Sequence, residues 1–412
     1  MGRIKELDGL RAIAVLGVLA AHFVPQGTRA ANALGLGWAG VDLFFAISGF
    51  LITGILIGLR QKEAPFRTFY WRRTLRIFPP YYIALALLLA LALVHTERIN
   101  YRDVARHAMF LSSVTPGLVK LAVSRLFFQI SAVPLTGLKH TEYLLLQFKD
   151  CFGIYWSLSV EELFYLVWAP IVLKGSRRMV CFCSVAPLLV CPILRGLAHT
   201  TPHIDESIGF VFRFDSLAAG GCVALLFWGM DNGHLKKKVF DRALTSIIIV
   251  SSLSLFFVMK ACGIWRGIDV RTTSTFSVAG FSLLAMMCAS LVGAFVRWSG
   301  KLGFLSYVLR SKSAVYVGTV SYTIYLIHLP TYLMVQLLIL KWFGPNAIAS
   351  SRGLALLSGF LAAAFTILLA GLSWKYIEAP IMRLKEAFFP GRTTPHAVLV
   401  ESNLDGSGRL CA

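Results

Sequence analysis

The chain has 412 residues, of which 57% are hydrophobic and only 15% charged; 30 are phenylalanine, and the mean hydropathy is +0.70. A soluble domain carries about 25% charged residues, so a disordered chain, a secreted disulfide scaffold and most soluble enzymes are excluded. The net charge of +20 is spread between apolar runs rather than along one face, which fits the positive-inside rule of membrane proteins and not nucleic-acid binding. The expected fold class is all-α, a polytopic transmembrane helix bundle.

A transmembrane helix needs about 20 mostly apolar residues. Ten stretches qualify, at 7–24, 36–59, 77–94, 152–173, 179–198, 208–228, 243–262, 275–296, 316–340 and 353–377. Loops sharing a side with the N-terminus hold 23 Lys and Arg, against 5 in the short loops opposite, so both termini are expected to be cytoplasmic. The long loop 95–151 then faces outside, with weakly amphipathic pieces near 101–114 and 118–132 expected to lie on the membrane surface. Residues 1–378 are read as one transmembrane domain, and the polar stretch 379–412 as a partly disordered cytoplasmic tail. The first apolar run lacks a small-residue cleavage site and is expected to stay in the protein. Six of the eight cysteines (Cys181, Cys183, Cys191, Cys222, Cys262 and Cys288) sit in apolar runs with no C-x-x-C spacing, and are expected as small buried hydrophobes. There is no dinucleotide-type G-x-G-x-x-G unit, no P-loop, no H-E-x-x-H and no N-x-[ST] sequon.

Charged side chains inside a bilayer are costly and mark functional candidates. The first span, LDGLRAIAVLGVLAAHF, places Asp8 and Arg11 at its cytoplasmic end and His22 near its outer end. Arg11 and His22 are eleven positions apart, close to three turns, so they share a face roughly 16 Å apart. In the second span Asp42 lies in the outer third, with Ser48, Gly49, Thr53 and Gly54 read as helix-packing positions. The segment FYWRRTLRIFPPYY brings Arg72, Arg73 and Arg76 to the cytoplasmic side, with Pro79 and Pro80 expected to open the third helix. Three guanidinium forks there suit phosphates as well as an anchoring role.

The fourth span, WSLSVEELFY, carries Trp156, Ser157 and Ser159 before the adjacent Glu161 and Glu162, which a helix turns in different directions. Arg213 and Asp215 open the sixth span and read as an internal ion pair. In SYTIYLIHLP, Ser321, Tyr322, Tyr325 and His328 recur on one helix face, with Pro330 as a possible kink. The tenth span ends at Glu378, a carboxylate placed to answer one of the arginines. The depths sort into a cytoplasmic level (Arg11, Arg72, Arg73, Arg76, Glu378) and an outer-half level (His22, Asp42, Glu161, Glu162, Arg213, Asp215, His328). His199, His203, Asp205 and Glu206 are read as a hydrophilic connection, and no metal site is expected.

Seven segments in order (LDGLRAIAVLGVLAAH, GVDLFFAISGFLI, FYWRRTLRIFPPYY, WSLSVEELFY, RFDSLAAG, SYTIYLIH and YIEAP) resemble the acyltransferase-3 family of integral membrane acyltransferases, over about 5–385. The family's Arg-x10-His element falls on Arg11 and His22; Leu163 stands where the family often has Gln. The resemblance implies acyl-CoA, usually acetyl-CoA, as donor substrate with no bound cofactor, and His22 as the catalytic residue. It implies O-acetylation of a carbohydrate or glycolipid acceptor, such as a lipopolysaccharide, exopolysaccharide or other polysaccharide, at a bacterial inner (plasma) membrane.

On this reading the arginine level holds the nucleotide end of the donor and the pantetheine arm carries the thioester towards His22. Glu161 or Glu162 orients His22 by triad logic, and Arg213 or a tyrosine stabilises the oxyanion. Whether His22 acts as general base or carries the acyl group stays open. Asp42, Trp156, Ser157, Asp215, Tyr322, His328 and Glu378 are supporting residues. Some members carry a fused extracytoplasmic SGNH-type domain; here the membrane domain is expected to complete transfer alone. The competing expectations are a secondary transporter or flippase of a glycolipid or saccharide, and a sensor or assembly subunit without catalysis. Thiol release from acyl-CoA separates the enzyme from the transporter, and unchanged activity in His22→Ala would favour the subunit reading.

Overall fold

The computed structural model describes residues 4–24, 35–95, 108–109, 151, 153–200, 211–264, 273–344 and 347–388. Among them every regular element is helical. In chain order these are α1 (Lys5–Phe23), α2 (Gly40–Leu59), α3 (Pro65–His95), α4 (Trp156–Lys174), α5 (Arg177–Thr200), α6 (Phe214–Asp231) and α7 (Lys237–Ala261), followed by α8 (Phe281–Arg297), α9 (Gly303–Leu309), α10 (Lys312–Phe343), α11 (Ala347–Ser350), α12 (Arg352–Ser373) and α13 (Ala379–Phe388). Local chemistry sets several boundaries. Glu6 and Asp8 occupy the first turn of α1, where the helix dipole favours carboxylates. The hydroxyls of Ser311 and Ser351 cap α10 and α12 by accepting from Ala314 and Leu354 backbone N–H groups.

Seven of the ten expected spans coincide with described helices long and apolar enough to cross a membrane; α1, α3 and α6 occupy the other three positions. The third span departs from expectation. The helix does not begin at Pro79–Pro80 but at Pro65, and runs 31 residues with both prolines inside it. Proline suits the first helical turn, and Pro65 fills that place. The interior pair each forfeit a backbone hydrogen bond, and within this stretch the Ile77 carbonyl accepts from the Tyr322 hydroxyl at 3.1 Å. The stretch expected as tail opens as helix α13 to residue 388, and its remainder lies outside the described residues. So do the amphipathic pieces near 101–114 and 118–132, apart from residues 108–109.

Small residues bring the central helices together, as is usual where lipid removes the hydrophobic drive for association. Packing of α2 on α6 runs through Gly49 against Leu217 and Gly220 against Ala46; α1 meets α10 through Gly318 against Asp8. A Cβ on Gly318 would lie 1.8 Å from the Asp8 carbonyl oxygen, which is backbone and has no room to retreat. Overpacking of this kind costs about 1–3 kcal/mol. Gly318→Ala is expected to lower the thermal unfolding midpoint of the detergent-solubilised protein by several degrees; an unchanged midpoint would contradict the α1–α10 contact. Contrary to the sequence reading, Cys181 is exposed and Cys183 and Cys222 are only half-buried, whereas Cys191, Cys262 and Cys288 are buried. Cys181 lies on α5, whose apolar side chains (Phe182, Leu189, Ile193) point away from the bundle.

Candidate active site

A cavity of about 380 Å³ opens between α1, α2, α3, α4 and α10. Arg11 enters it from α1, and Arg72, Arg73 and Arg76 from the first half of α3. Three carboxylates, Asp8, Glu161 and Glu378, also line it, so positive charge prevails by one. Asp8 answers Arg11 across one helical turn at 3.5 Å. Glu378 accepts from Thr323 at 2.6 Å and from Ser373 at 3.2 Å. It is the last residue of a π-turn, Trp374–Glu378, and the inserted residue of such a turn re-aims the side chains around it. Arg76 is exposed within the cavity, and among the described residues it makes no hydrogen bond or salt bridge; Arg11, Arg72 and Arg73 are half-buried.

Glu161 belongs to this cavity. Tyr165, one turn further along α4, donates to Glu161 Oε2 at 3.2 Å and is hydrogen-bonded to Ser48 of α2. The Arg73 guanidinium lies 4.3 Å from the centre of the Tyr165 ring, a cation–π distance. Arg73 and Arg11 are both near enough to act on the Glu161 charge. The sequence sorting, which set Glu161 beside His22 in the outer half, is therefore corrected. Glu161 sits five residues into α4, about 8 Å from its start, where long arginine side chains reach it from the opposite end. Its neighbour Glu162 turns away from the cavity lining but still feels Arg73. Ser48 and Tyr165 are site residues the sequence reading missed. The i, i+4 spacing of Glu161 and Tyr165 was the available signal.

His22 lies at the other end of α1, beside His328 of α10, with ring centroids 5.0 Å apart. His22 is exposed and His328 fully buried. His22 Nδ1 bonds to the Val18 carbonyl at 2.9 Å, and His328 Nδ1 to the Tyr325 carbonyl at 2.8 Å. A carbonyl can only accept, so each Nδ1 carries a proton, and each neutral ring keeps its lone pair on Nε2. His328 Nε2 is buried with no hydrogen-bond partner among the described residues. Phe23 closes one side, 6.0 Å from His328 and stacked on Tyr332 at 4.6 Å.

The remaining candidates have structural partners. Arg213 and Asp215 do not pair with each other as expected. Arg213 bonds to Asp42, which also accepts from Ser216 at 2.8 Å. Asp215 accepts from Arg195 at 2.8 Å and Ser282 at 3.0 Å. Residues two apart on a helix point to different sides, which is why the pairs cross to α2 and α5; Arg195, inside the fifth apolar run, was overlooked. Trp156 packs edge-on to Phe45, Ser157 bonds to Tyr325 at 2.7 Å, and Tyr322 reaches the Ile77 carbonyl. His203, Asp205 and Glu206 lie outside the described residues, as does the side chain of His199.

The fold and site define a multi-pass α-helical membrane protein with an arginine-lined internal cavity and a histidine pair further along the same helix. The chain belongs to the acyltransferase-3 family: the profile of its acyltransferase domain matches residues 4–375. Among similar proteins is the peptidoglycan O-acetyltransferase OatA of Listeria monocytogenes, 26% identical over 403 residues, covering 92% of this chain and 56% of the relative. The putative peptidoglycan O-acetyltransferase YrhL of Bacillus subtilis is 26% identical over 412 residues, with 96% and 57% covered. The O-acetyltransferase OatA of Staphylococcus aureus is 23% identical over 397 residues, with 92% and 57% covered. The chain thus spans a little over half the length of these curated relatives. No solved structure matches it.

Proposed function

We propose that the protein is a membrane O-acetyltransferase that moves an acetyl group from acetyl-CoA, bound at the arginine cavity, to a carbohydrate hydroxyl presented at His22. One observation carries this reading. A single helix delivers Arg11 to an arginine-rich cavity at one end and His22 to a tautomer-fixed histidine pair at the other. The phosphates of acyl-CoA suit guanidinium forks, and Arg76 supplies one that makes no salt bridge among the described residues. The roughly 16 Å from Arg11 to His22 suits the extended arm of such a donor. Family membership and the names of the relatives favour an envelope glycan as acceptor, with peptidoglycan the first to test.

The chemistry follows from His22 Nε2. It takes the proton of the acceptor hydroxyl as general base, and the oxygen attacks the thioester carbonyl. The carbon–sulfur bond breaks, and the departing thiolate takes the proton to leave as CoA thiol. The same nitrogen serves if the acyl group is first carried on the imidazole. The His328 ring, 5.0 Å from that of His22 centre to centre, holds the His22 ring in position. Glu161 acts at the donor end, where with Ser48 and Tyr165 it holds Arg73 in place.

The testing experiment is thiol release from acetyl-CoA by the purified protein in nanodiscs, with purified peptidoglycan fragments as acceptor. Acceptor-stimulated release supports the enzyme; the absence of any release favours the transporter reading. The arginine end is placed at the cytoplasm of a bacterial plasma membrane, where acyl-CoA is made. An alkaline phosphatase fused behind α13 is then expected to be inactive, and an active fusion would invert this orientation.

A further inference from the structure

The arginine cavity stops short of His22. Ser157, Phe44, Phe45 and Tyr325 are among its lining residues, and among the described lining residues neither His22 nor His328 appears. A donor bound among the arginines therefore meets a wall, and Tyr325 touches both sides of it. Its ring lines the cavity, stands edge-on to Phe44 at 6.3 Å and lies 5.7 Å from His328, centre to centre. The ring is buried and fastened to α4: its hydroxyl bonds to the Ser157 hydroxyl at 2.7 Å and to the Ile154 carbonyl at 3.0 Å. The Ser157 hydroxyl reaches the same carbonyl at 3.3 Å.

We propose that Tyr325, latched by Ser157, is the partition between the donor cavity and the histidine pair, and that it sets the length of acyl group the protein transfers. The inference rests on the acyl-CoA reading above. A thioester carried in from the arginine end presents its carbonyl at the inner wall. A two-carbon acyl group passes with a small displacement of the ring, which stays latched through its hydroxyl. Each further methylene needs space that the ring, Phe44 and the buried His328 already fill. A closed partition also keeps water from the thioester until an acceptor arrives. Ser157 and Tyr325 share one helix-to-helix contact, so the latch and the wall move together.

The test compares wild type, Tyr325→Phe, Tyr325→Leu, Tyr325→Ala and Ser157→Ala, as full chains in nanodiscs, using thiol release from acetyl-CoA and hexanoyl-CoA with and without peptidoglycan fragments. Wild type is expected to prefer acetyl-CoA at least about tenfold, the scale on which an apolar pocket discriminates methylenes. Tyr325→Ala is expected to narrow that preference to about threefold or less and to raise acceptor-independent hydrolysis. Tyr325→Phe and Ser157→Ala keep the ring, and so the length preference, while hydrolysis rises. Tyr325→Leu preserves apolar bulk and guards against a folding failure of the alanine variant; it is expected to fall between the two. A wild-type preference retained in both Tyr325→Leu and Tyr325→Ala overturns the partition while leaving the acyl-CoA reading intact. No thiol release by wild type from either donor overturns the acyl-CoA reading, and the partition with it.

Discussion

His22→Ala is expected to abolish acetyl transfer while leaving the protein in the membrane at its normal level. Removing a general base costs about 10²–10⁴ in rate, and among the described residues the neighbouring imidazole is not placed to replace it. His328 Nε2 is fully buried, out of reach of a carbohydrate hydroxyl. His22 is exposed, and its Nδ1 bonds to the Val18 carbonyl of its own helix. That exposure also permits rescue: free imidazole from solvent is expected to restore part of the activity of His22→Ala. Envelope glycans would be compared by mass spectrometry in cells carrying the intact gene, a deletion, and the deletion complemented with wild type or His22→Ala. Loss of an acetyl group on deletion, restored only by wild type, identifies the acceptor and the role of His22. Acetylation at wild-type level in His22→Ala would remove the mechanism.

His328 separates a paired from an isolated role for His22. His328→Gln keeps a polar side chain in the buried position but removes the imidazole ring that packs against His22 at 5.0 Å, so it is expected to lower kcat with little change in donor KM. A purely structural role would instead appear as a lower unfolding midpoint with unchanged kcat per folded molecule.

Much of this architecture is legible in the sequence because depth along one helix is a matter of counting. The eleven-residue interval from Arg11 to His22 gives both a shared face and a separation. The apolar runs mark seven helices that the structure bears out as long and apolar enough to span. What counting along one helix does not give is the neighbour each side chain meets. Glu161 was assigned to the His22 level by its distance from the start of the fourth run. The side chains that surround it, Ser48, Tyr165, Arg73 and Arg11, come from α1, α2, α3 and α4 itself. Arg213 and Asp215, near in sequence, are read as a pair, yet a helix sends them to Asp42 on α2 and Arg195 on α5. Pro79 and Pro80 read as a helix start because isolated propensity disfavours interior proline. Tertiary packing overrode it: Tyr81, Ala84, Leu85 and Leu88 of the same helix are buried in the core.

The donor site makes the second large prediction. Of the cavity arginines, Arg11 is engaged by Asp8, and Arg73 is stacked on Tyr165 and drawn to Glu161. Arg76 is exposed within the cavity without a salt bridge among the described residues, so it is the guanidinium most available to an incoming phosphate. A hydrogen bond to a charged group is worth about 1.5–3 kcal/mol, and Arg76→Ala is expected to raise the KM for acetyl-CoA by about 10- to 150-fold on that basis. Because phosphates do not change during transfer, the interaction is equally strong in ground and transition states, so kcat should stay near wild type at saturating donor. Arg76→Lys keeps the charge but loses the planar fork and should lie between the two. Steady-state thiol release over a donor titration checks this. A fall in kcat with unchanged KM would place Arg76 at the reacting end of the donor rather than its phosphates, and would require the donor to lie in the cavity the other way round.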